Sequence, residues 1–155
     1  MLDNTELFQK ILYTTDFSKA SEKALDYVIK LKGAGAEEVI ILHVVDISTL
    51  EAYEDIYSLK GMSSNQIIET IKNEIKKKLE GIEEKIRAQG LKTKVLVRIG
   101  KSYKEIVKVA EEENVSLIVI ASIGRGVKWG VFDVFLGSTA GKVVARAKRP
   151  VLVVK

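Results

Sequence analysis

Residues 39–45 read VIILHVV, and this run is the clearest β-strand in the sequence. All of its residues except His43 are apolar, so the strand has no polar side to turn towards water. A strand of this kind is typical of a parallel sheet that helices cover on both faces. The run therefore indicates an α/β protein.

Elsewhere along the chain, short apolar runs alternate with patterns of helical period. Further strands are predicted at residues 11–15, 94–100, 117–121 and 151–154. Helices are predicted at residues 18–31, 63–90, 103–112 and 138–147. The longest of these carries isoleucine or leucine at spacings of three and four, which puts those side chains on one helical face. Residues 46–62 form a mixed connection of a length that usually carries function or part of a helix.

Strands that alternate with helices are joined by right-handed crossovers and lie parallel in one sheet. We therefore expect a single α/β domain over residues 1–155. It should be a doubly wound open sheet of five parallel strands, in the order 3-2-1-4-5, with helices on both faces. Ligands of such sheets bind beyond the carboxyl ends of the strands, where the strand order reverses. In this order, that crevice lies between strands 1 and 4.

Composition narrows the class of protein. The 155 residues include 46% apolar and 30% charged residues, as expected of a globular protein. The absence of cysteine excludes disulfides, thiolate metal sites and cysteine catalysis. The net charge of +4 is modest and the lysines interleave with glutamates, so we expect no nucleic-acid partner. The sequence shows neither a signal-peptide pattern nor a membrane-spanning run, which predicts a cytoplasmic protein without a membrane partner.

Two sequence features meet at the expected crevice. Asp16 follows strand 1, and residues 121–139, which read ASIGRGVKWGVFDVFLGST, follow strand 4. Glycines let backbone N–H groups approach a ligand closely, and a helix that starts at Ser138 and Thr139 offers amides without intrahelical partners. We therefore interpret this segment as a phosphate-binding loop. The alternative is that Asp16 is a turn or capping residue and that Gly137 simply precedes a helix.

Several better-known sites are excluded. Residues 137–143, GSTAGKV, are one residue too short for a P-loop and have Val143 where Ser or Thr would bind Mg²⁺. The glycines from Gly124 onwards follow the fourth strand, whereas the dinucleotide fingerprint follows the first. His43 is the single histidine, which excludes a multi-histidine metal site or a histidine triad. We interpret His43 as a packed, hydrogen-bonded core residue, and Tyr53 as a packing residue.

Three segments together make the chain resemble the universal stress protein family along nearly its whole length. Residues 11–18, ILYTTDFS, are similar to that family's opening strand and its "PTDFS"-type turn. Residues 39–46, VIILHVVD, are similar to its second strand. Gly137-Ser138, followed by a helix and by residues 148–154, KRPVLVV, is similar to its closing segment. The resemblance implies an α/β fold in which some members bind ATP and others do not.

The resemblance also implies which residues would hold an adenine nucleotide. The opening aspartate contacts the nucleoside, which points to Thr15 and Asp16, and backbone groups at the end of the second strand recognise adenine, which points to Val44. A Gly-x-x-Gly-x₉-Gly-[Ser/Thr] loop holds the phosphates in the family. Its counterparts here, with neighbouring donors, are Ala121, Gly124, Arg125, Gly126, Gly137, Ser138 and Thr139. The implied cofactor is ATP or AMP accompanied by Mg²⁺, with no metal ligand or catalytic residue assigned in the chain.

Three departures from the family pattern leave two functions open. Ala121 replaces the first glycine, twelve residues instead of nine separate Gly124 from Gly137, and Thr14 replaces the usual proline. The leading hypothesis is a universal stress protein that binds an adenine nucleotide and acts as a stress-response switch or sensor. The alternative is a universal stress protein that binds no nucleotide and works by dimerisation and partner contact.

Both hypotheses exclude a fast enzyme and include a homodimer. The sequence supplies no evident catalytic base, so we expect no enzyme, and any ATP hydrolysis should be slow. The last strand, Val151 to Val154, lies at the edge of the expected sheet and is short, apolar and uncharged. Such an edge invites pairing with another chain, and the family resemblance also suggests a homodimer through this strand.

Overall fold

Five parallel strands form a single sheet in the order β3-β2-β1-β4-β5. The computed structural model describes residues 7–123 and 136–155. Its elements are β1 (Lys10–Thr14), α1 (Lys19–Lys30) with a 3₁₀ turn after it (Leu31–Ala34), β2 (Glu38–Val45), α2 (Ile47–Ser58), α3 (Ser64–Arg87), β3 (Lys92–Ile99), α4 (Ser102–Glu112), β4 (Leu117–Ala121), α5 (Ser138–Arg146) and β5 (Val151–Val154). The predicted α/β class and strand order are confirmed.

Strand β1 is the centre of the sheet, because it pairs with β2 on one side and with β4 on the other. Its side chains alternate between two cores. Ile11 and Tyr13 pack with α1 and α3 on one face, whereas Leu12 packs with α4 and α5 on the other. All three are fully buried. Helices therefore cover both faces of the sheet, as the apolar run of β2 predicts.

The buried polar groups of this core are satisfied. The Tyr13 hydroxyl donates to the Ser21 carbonyl at 2.5 Å, and burial raises the pKa of Tyr13 to about 12. Among the described residues, no buried side-chain nitrogen or oxygen lacks a hydrogen-bond partner. This is the condition that a buried polar atom must meet to be tolerated in a core. The same described residues include no helix that is long and apolar enough to cross a membrane.

Two helix starts follow from local capping chemistry. Ser18 caps α1 by accepting from Ser21 N at 3.2 Å. Ser63 accepts from Gln66 N at 3.2 Å while the Gln66 side chain accepts from Ser63 N at 2.9 Å, which is a complete capping box. Both starts agree with the sequence prediction.

The connection after β2 departs from the predicted pattern of four helices, because it contains a fifth. Asp46 caps α2 by accepting from Thr49 N at 2.8 Å. No residue of α2 is buried, and the helix packs against α3 rather than on the sheet. Its apolar residues form no buried stripe, so the sequence pattern from which helices are predicted is missing here.

Candidate functional site

A cavity of about 380 Å³ opens at the carboxyl ends of β1 and β4, where the strand order reverses. This volume lies within the range of about 300–1,000 Å³ that is usual for small-molecule sites. Six predicted site residues line it, namely Thr15, Asp16, Val44, Gly137, Ser138 and Thr139, and so does Ala121, which replaces the first glycine of the family loop. The other three predicted residues, Gly124, Arg125 and Gly126, lie outside the described residues. The topology therefore brings together residues that are more than a hundred positions apart in the sequence.

Thr15 fixes the end of β1. Its N–H donates to the Leu42 carbonyl at 3.0 Å, which extends the pairing with β2 by one residue. Its hydroxyl accepts from Phe17 N at 3.0 Å and donates to the hydroxyl of Ser21 at 3.0 Å. Only 4% of Thr15 is exposed, so it acts as a rigid anchor for the turn that follows.

Asp16 lies in that turn at the mouth of the cavity. It is half-buried, and its Oδ1 accepts from Ser18 N at 3.0 Å. The helix cap is supplied by Ser18 and not by Asp16. The two interpretations of Asp16 are therefore compatible, because it shapes the turn through one oxygen and also lines the cavity.

The backbone of Val44 faces the β1 side of β2, at a level beyond the last pair between these two strands. The Leu42 carbonyl points towards β1, where it accepts from Thr15 N, and the Val45 carbonyl points towards β3, where it accepts from Gly100 N. Backbone groups alternate along a strand, so the N–H and C=O of Val44 point to the β1 side. The pairing between β1 and β2 ends at Thr14 and Leu42, before Val44 is reached. The N–H and C=O of Val44 therefore point into the cavity.

His43 is the residue for which the sequence interpretation needs correction. It is hydrogen-bonded, as predicted, because its Nδ1 lies 2.7 Å from the Thr15 carbonyl. A carbonyl only accepts, so this nitrogen must carry the proton. However, His43 is half-buried and lines the cavity instead of lying in the closed core. Its ring is tilted against that of Phe17, with the centroids 4.7 Å apart.

Helix α5 starts directly at the cavity. Gly137 is its N-cap and makes no side-chain cap, while its own N–H donates to the Ser122 carbonyl at 2.6 Å just after β4. The first turn contains Ser138 and Thr139 and no acidic residue. Amides in a first turn have no intrahelical partner, and they carry the positive end of the helix dipole. This end of the cavity therefore favours an anion.

Helices α2, α3 and α4 contribute cavity residues that the sequence did not identify. These are Thr49, Tyr53, Ile71, Ile75, Lys78, Ser102 and Ile106. Tyr53 packs against the core, as the sequence interpretation has it, and it also lines the cavity. The sequence pattern on α3 predicts that Ile71 and Ile75 share one face of the helix, but it does not indicate which part of that face lines the cavity.

The cavity offers little to a metal ion on its own. Its carboxylates, among the described residues, are Asp16 and Asp46. The Oδ1 of Asp46 accepts from Ser48 Oγ at 2.6 Å and from Thr49 N, and these bonds lower the pKa of Asp46. The described part of the chain contains no group of three or more His, Cys, Asp or Glu residues that could hold a metal ion.

A model of the universal stress protein family matches residues 7–155, which is nearly the whole chain. The chain belongs to the universal stress protein family. Universal stress protein MJ0577 of Methanocaldococcus jannaschii is 39% identical, over 96% of both chains. A solved structure of MJ0577 superposes on this fold with a TM-score of 0.79, at 37% identity and over 96% of both chains. Universal stress protein YxiE of Bacillus subtilis is 36% identical, over 96% of this chain and 100% of its own.

Two further universal stress protein structures with this fold contain adenine nucleotides. One is a complex with cAMP, with a TM-score of 0.62 at 21% identity, which covers 95% of this chain and 96% of that chain. The other is the protein from Archaeoglobus fulgidus in complex with dAMP, with a TM-score of 0.62 at 20% identity, which covers 96% of this chain and 99% of that chain. At these identities the likeness concerns the fold.

Proposed function

We propose that this universal stress protein binds an adenine nucleotide, ATP or AMP, and acts in the cytoplasm as a stress-response switch or sensor. The observation that carries the proposal is the convergence of Asp16, Val44 and the start of α5 on one cavity. Each belongs to a different part of the chain, and each suits a different part of a nucleotide. The cAMP and dAMP complexes of proteins with this fold support the same ligand class.

The phosphates would bind at the start of α5. The amides of Ser138 and Thr139 lie in a first helical turn without acidic residues, and such a turn attracts an anion. Gly124, Arg125 and Gly126 remain predicted phosphate-binding residues from the sequence. Lys78 also lines the cavity and would add positive charge.

The nucleoside would bind between β1 and β2. An adenine ring presents a donor at its exocyclic amine and an acceptor beside it, which matches the C=O and N–H of Val44. Thr15 would hold the turn, and Asp16 would accept from the hydroxyls of the ribose. Guanine presents the reversed donor and acceptor pattern, so the site should prefer adenine.

Catalysis is not part of the proposal. Asp46 caps α2 through the oxygen that accepts from Thr49 N, so that oxygen is not a ready general base. Mg²⁺ usually binds through one or two carboxylates together with substrate phosphates. The ion would therefore arrive with ATP, Asp16 would be a candidate protein ligand for it, and hydrolysis should be slow.

Titration with a fluorescent ATP analogue tests the proposed function. We expect saturable binding at a ratio of one nucleotide per chain. ATP and AMP should displace the analogue, whereas GTP should displace it poorly because of its reversed base edge. Nucleotide that remains bound through purification would support the same conclusion. A titration without saturation at millimolar nucleotide would contradict the proposal and favour the alternative, in which the protein works by dimerisation and partner contact.

A homodimer through β5 is the second part of the proposal. Strand β5 pairs with β4 on one side, and Val151, Leu152 and Val153 are half-buried. The carbonyl of Pro150 accepts from Ile118 N on β4, and that of Val154 accepts from Ser122 N just after β4. The alternate residues Val151 and Val153 therefore turn their backbone groups to the open edge. An unpaired apolar edge of this kind favours pairing with a second copy.

Replacing Val153 with proline should weaken this dimer without unfolding the chain. Proline removes one N–H from the open edge, where the sheet itself does not use it, and edge strands tolerate proline. Sedimentation velocity at micromolar concentration should show dimers of the wild type and a larger monomer fraction for Val153→Pro. Ile56→Ala, on the exposed face of α2, is the matched surface control and should remain dimeric. A wild type that sediments only as a monomer would contradict the dimer.

A further inference from the structure

Phe17 has a backbone conformation that a bulky residue rarely adopts. Its φ is +64°, in the left-handed region that favours glycine. Asn114 is the other described non-glycine residue with a positive φ, and asparagine tolerates this region far better. Such strain persists where the surrounding structure over-determines it, and it is concentrated at functional sites. Phe17 is also part of the cavity wall.

Contacts from β2, from α3 and from its own turn hold Phe17 in place. Its ring centroid lies 4.7 Å from that of His43 on β2, with an angle of 35° between the rings. Lys78 of α3 places its Nζ 5.5 Å from the same centroid, within the range of a cation–π contact. On the main chain, Phe17 N donates to Thr15 Oγ1. His43 is itself fixed, since it donates to the carbonyl of Thr15.

Phe17 lies between two residues with known roles in this turn, Asp16 and Ser18. Asp16 precedes it and lines the cavity, and Ser18 follows it and caps α1. Ser18 N donates to Asp16 Oδ1, so the orientation of the carboxylate depends on the turn that Phe17 makes. An ordinary negative φ at Phe17 would rotate the adjoining peptide planes and move Asp16 relative to the helix start.

We propose that Phe17 is a positioning residue whose ring, held by His43 and Lys78, aims the Asp16 carboxylate at the sugar of the bound nucleotide. The inference rests on the proposed function and makes Phe17 a determinant of ribose recognition. Hydrogen bonds weaken steeply when their angles are poor, so a carboxylate that is wrongly aimed loses its bonds to the sugar hydroxyls. The base and phosphate contacts lie elsewhere and are retained.

The test compares the affinities for ATP and for 2′,3′-dideoxy-ATP, which lacks both sugar hydroxyls. The wild type should prefer ATP roughly tenfold, which corresponds to one charge-assisted hydrogen bond. Phe17→Ala should bring this ratio close to one, because the affinity for ATP should fall further than the affinity for the dideoxy nucleotide. Phe17→Tyr keeps the ring and should keep the preference. Phe17→Gly removes the ring but adopts the positive φ without strain, so it should keep more of the preference than Phe17→Ala does.

The matched control is Phe8→Ala, because Phe8 also packs partly buried against the core but does not line the cavity. This variant should keep the wild-type ratio. A loss of affinity for both nucleotides in equal measure would mean that Phe17 is merely structural, and would overturn the inference. So would an unchanged ratio in Phe17→Ala, or a wild type that binds both nucleotides equally. If the wild type binds neither nucleotide, the proposed function itself fails, and the inference with it.

Discussion

Replacing Ser138 with aspartate should lower the affinity for ATP about 100-fold or more, because it sets a carboxylate where the phosphates are proposed to bind. At a separation of about 4 Å, two like charges near a protein surface repel by about 4 kcal/mol before solvent screening. Ser138 is exposed, so screening reduces this value, and about 2.7 kcal/mol remains for a 100-fold loss. Isothermal titration calorimetry with ATP at fixed salt measures the difference.

The same substitution should not destabilise the fold. A carboxylate in the first turn interacts favourably with the helix dipole, typically by about 0.3–1 kcal/mol. Affinity and stability should therefore move in opposite directions, which a damaged fold cannot imitate. Ser64→Asp is the matched control, since Ser64 is also the first residue of its helix, α3, but is not among the residues that line the cavity. Unchanged ATP affinity in Ser138→Asp would remove the phosphates from α5, and equal losses in both variants would point to a general charge effect.

Local sequence patterns predict most of this fold, because the burial of each strand is visible in the residues of that strand alone. The run at residues 39–45 is apolar on both sides, and the strand is buried on both sides. Ser18 and Ser63 each accept from an amide three residues ahead, which a reader of sequence can expect from spacing alone. Helix α2 is not predicted in this way, because none of its residues is buried and only its N-cap at Asp46 indicates a helix.

The site is predicted where it follows from topology and missed where it depends on packing. Strand order alone brings Asp16 towards Gly137, since they follow the neighbouring strands β1 and β4 and lie beyond the carboxyl ends of these strands. Lys78 reaches the cavity only because α3 lies against β2 and β3, and no local pattern encodes that approach. The positive φ of Phe17 is equally hidden, because propensity argues against it and contacts from other elements impose it.

Replacing Leu12 with alanine should cost about 2–5 kcal/mol of unfolding free energy, as large-to-small substitutions in packed cores do. Leu12 is fully buried on the central strand, where it pairs in register with Ile40 on β2 and with Ile118 on β4. Neighbours on both sides are held by the sheet, so the space that leucine leaves cannot close. Urea unfolding followed by circular dichroism at one protein concentration measures the loss. Leu59→Ala, at a residue that is 89% exposed, should change stability by less than about 0.5 kcal/mol.

A substitution at Leu12 also distinguishes an effect on the fold from an effect on the site. Leu12 lies on β1, which leads into the turn with Asp16, but its side chain faces the core of α4 and α5. The cavity of Leu12→Ala should therefore still bind ATP with nearly the wild-type affinity. Ligand at about 100 times its dissociation constant adds about 2.7 kcal/mol to the folded state, which would offset much of the packing loss. A variant that is destabilised as expected but gains nothing from ATP would mean that the end of β1 moves with its core. A loss below about 1 kcal/mol without ligand would instead show that this core can collapse around the missing side chain.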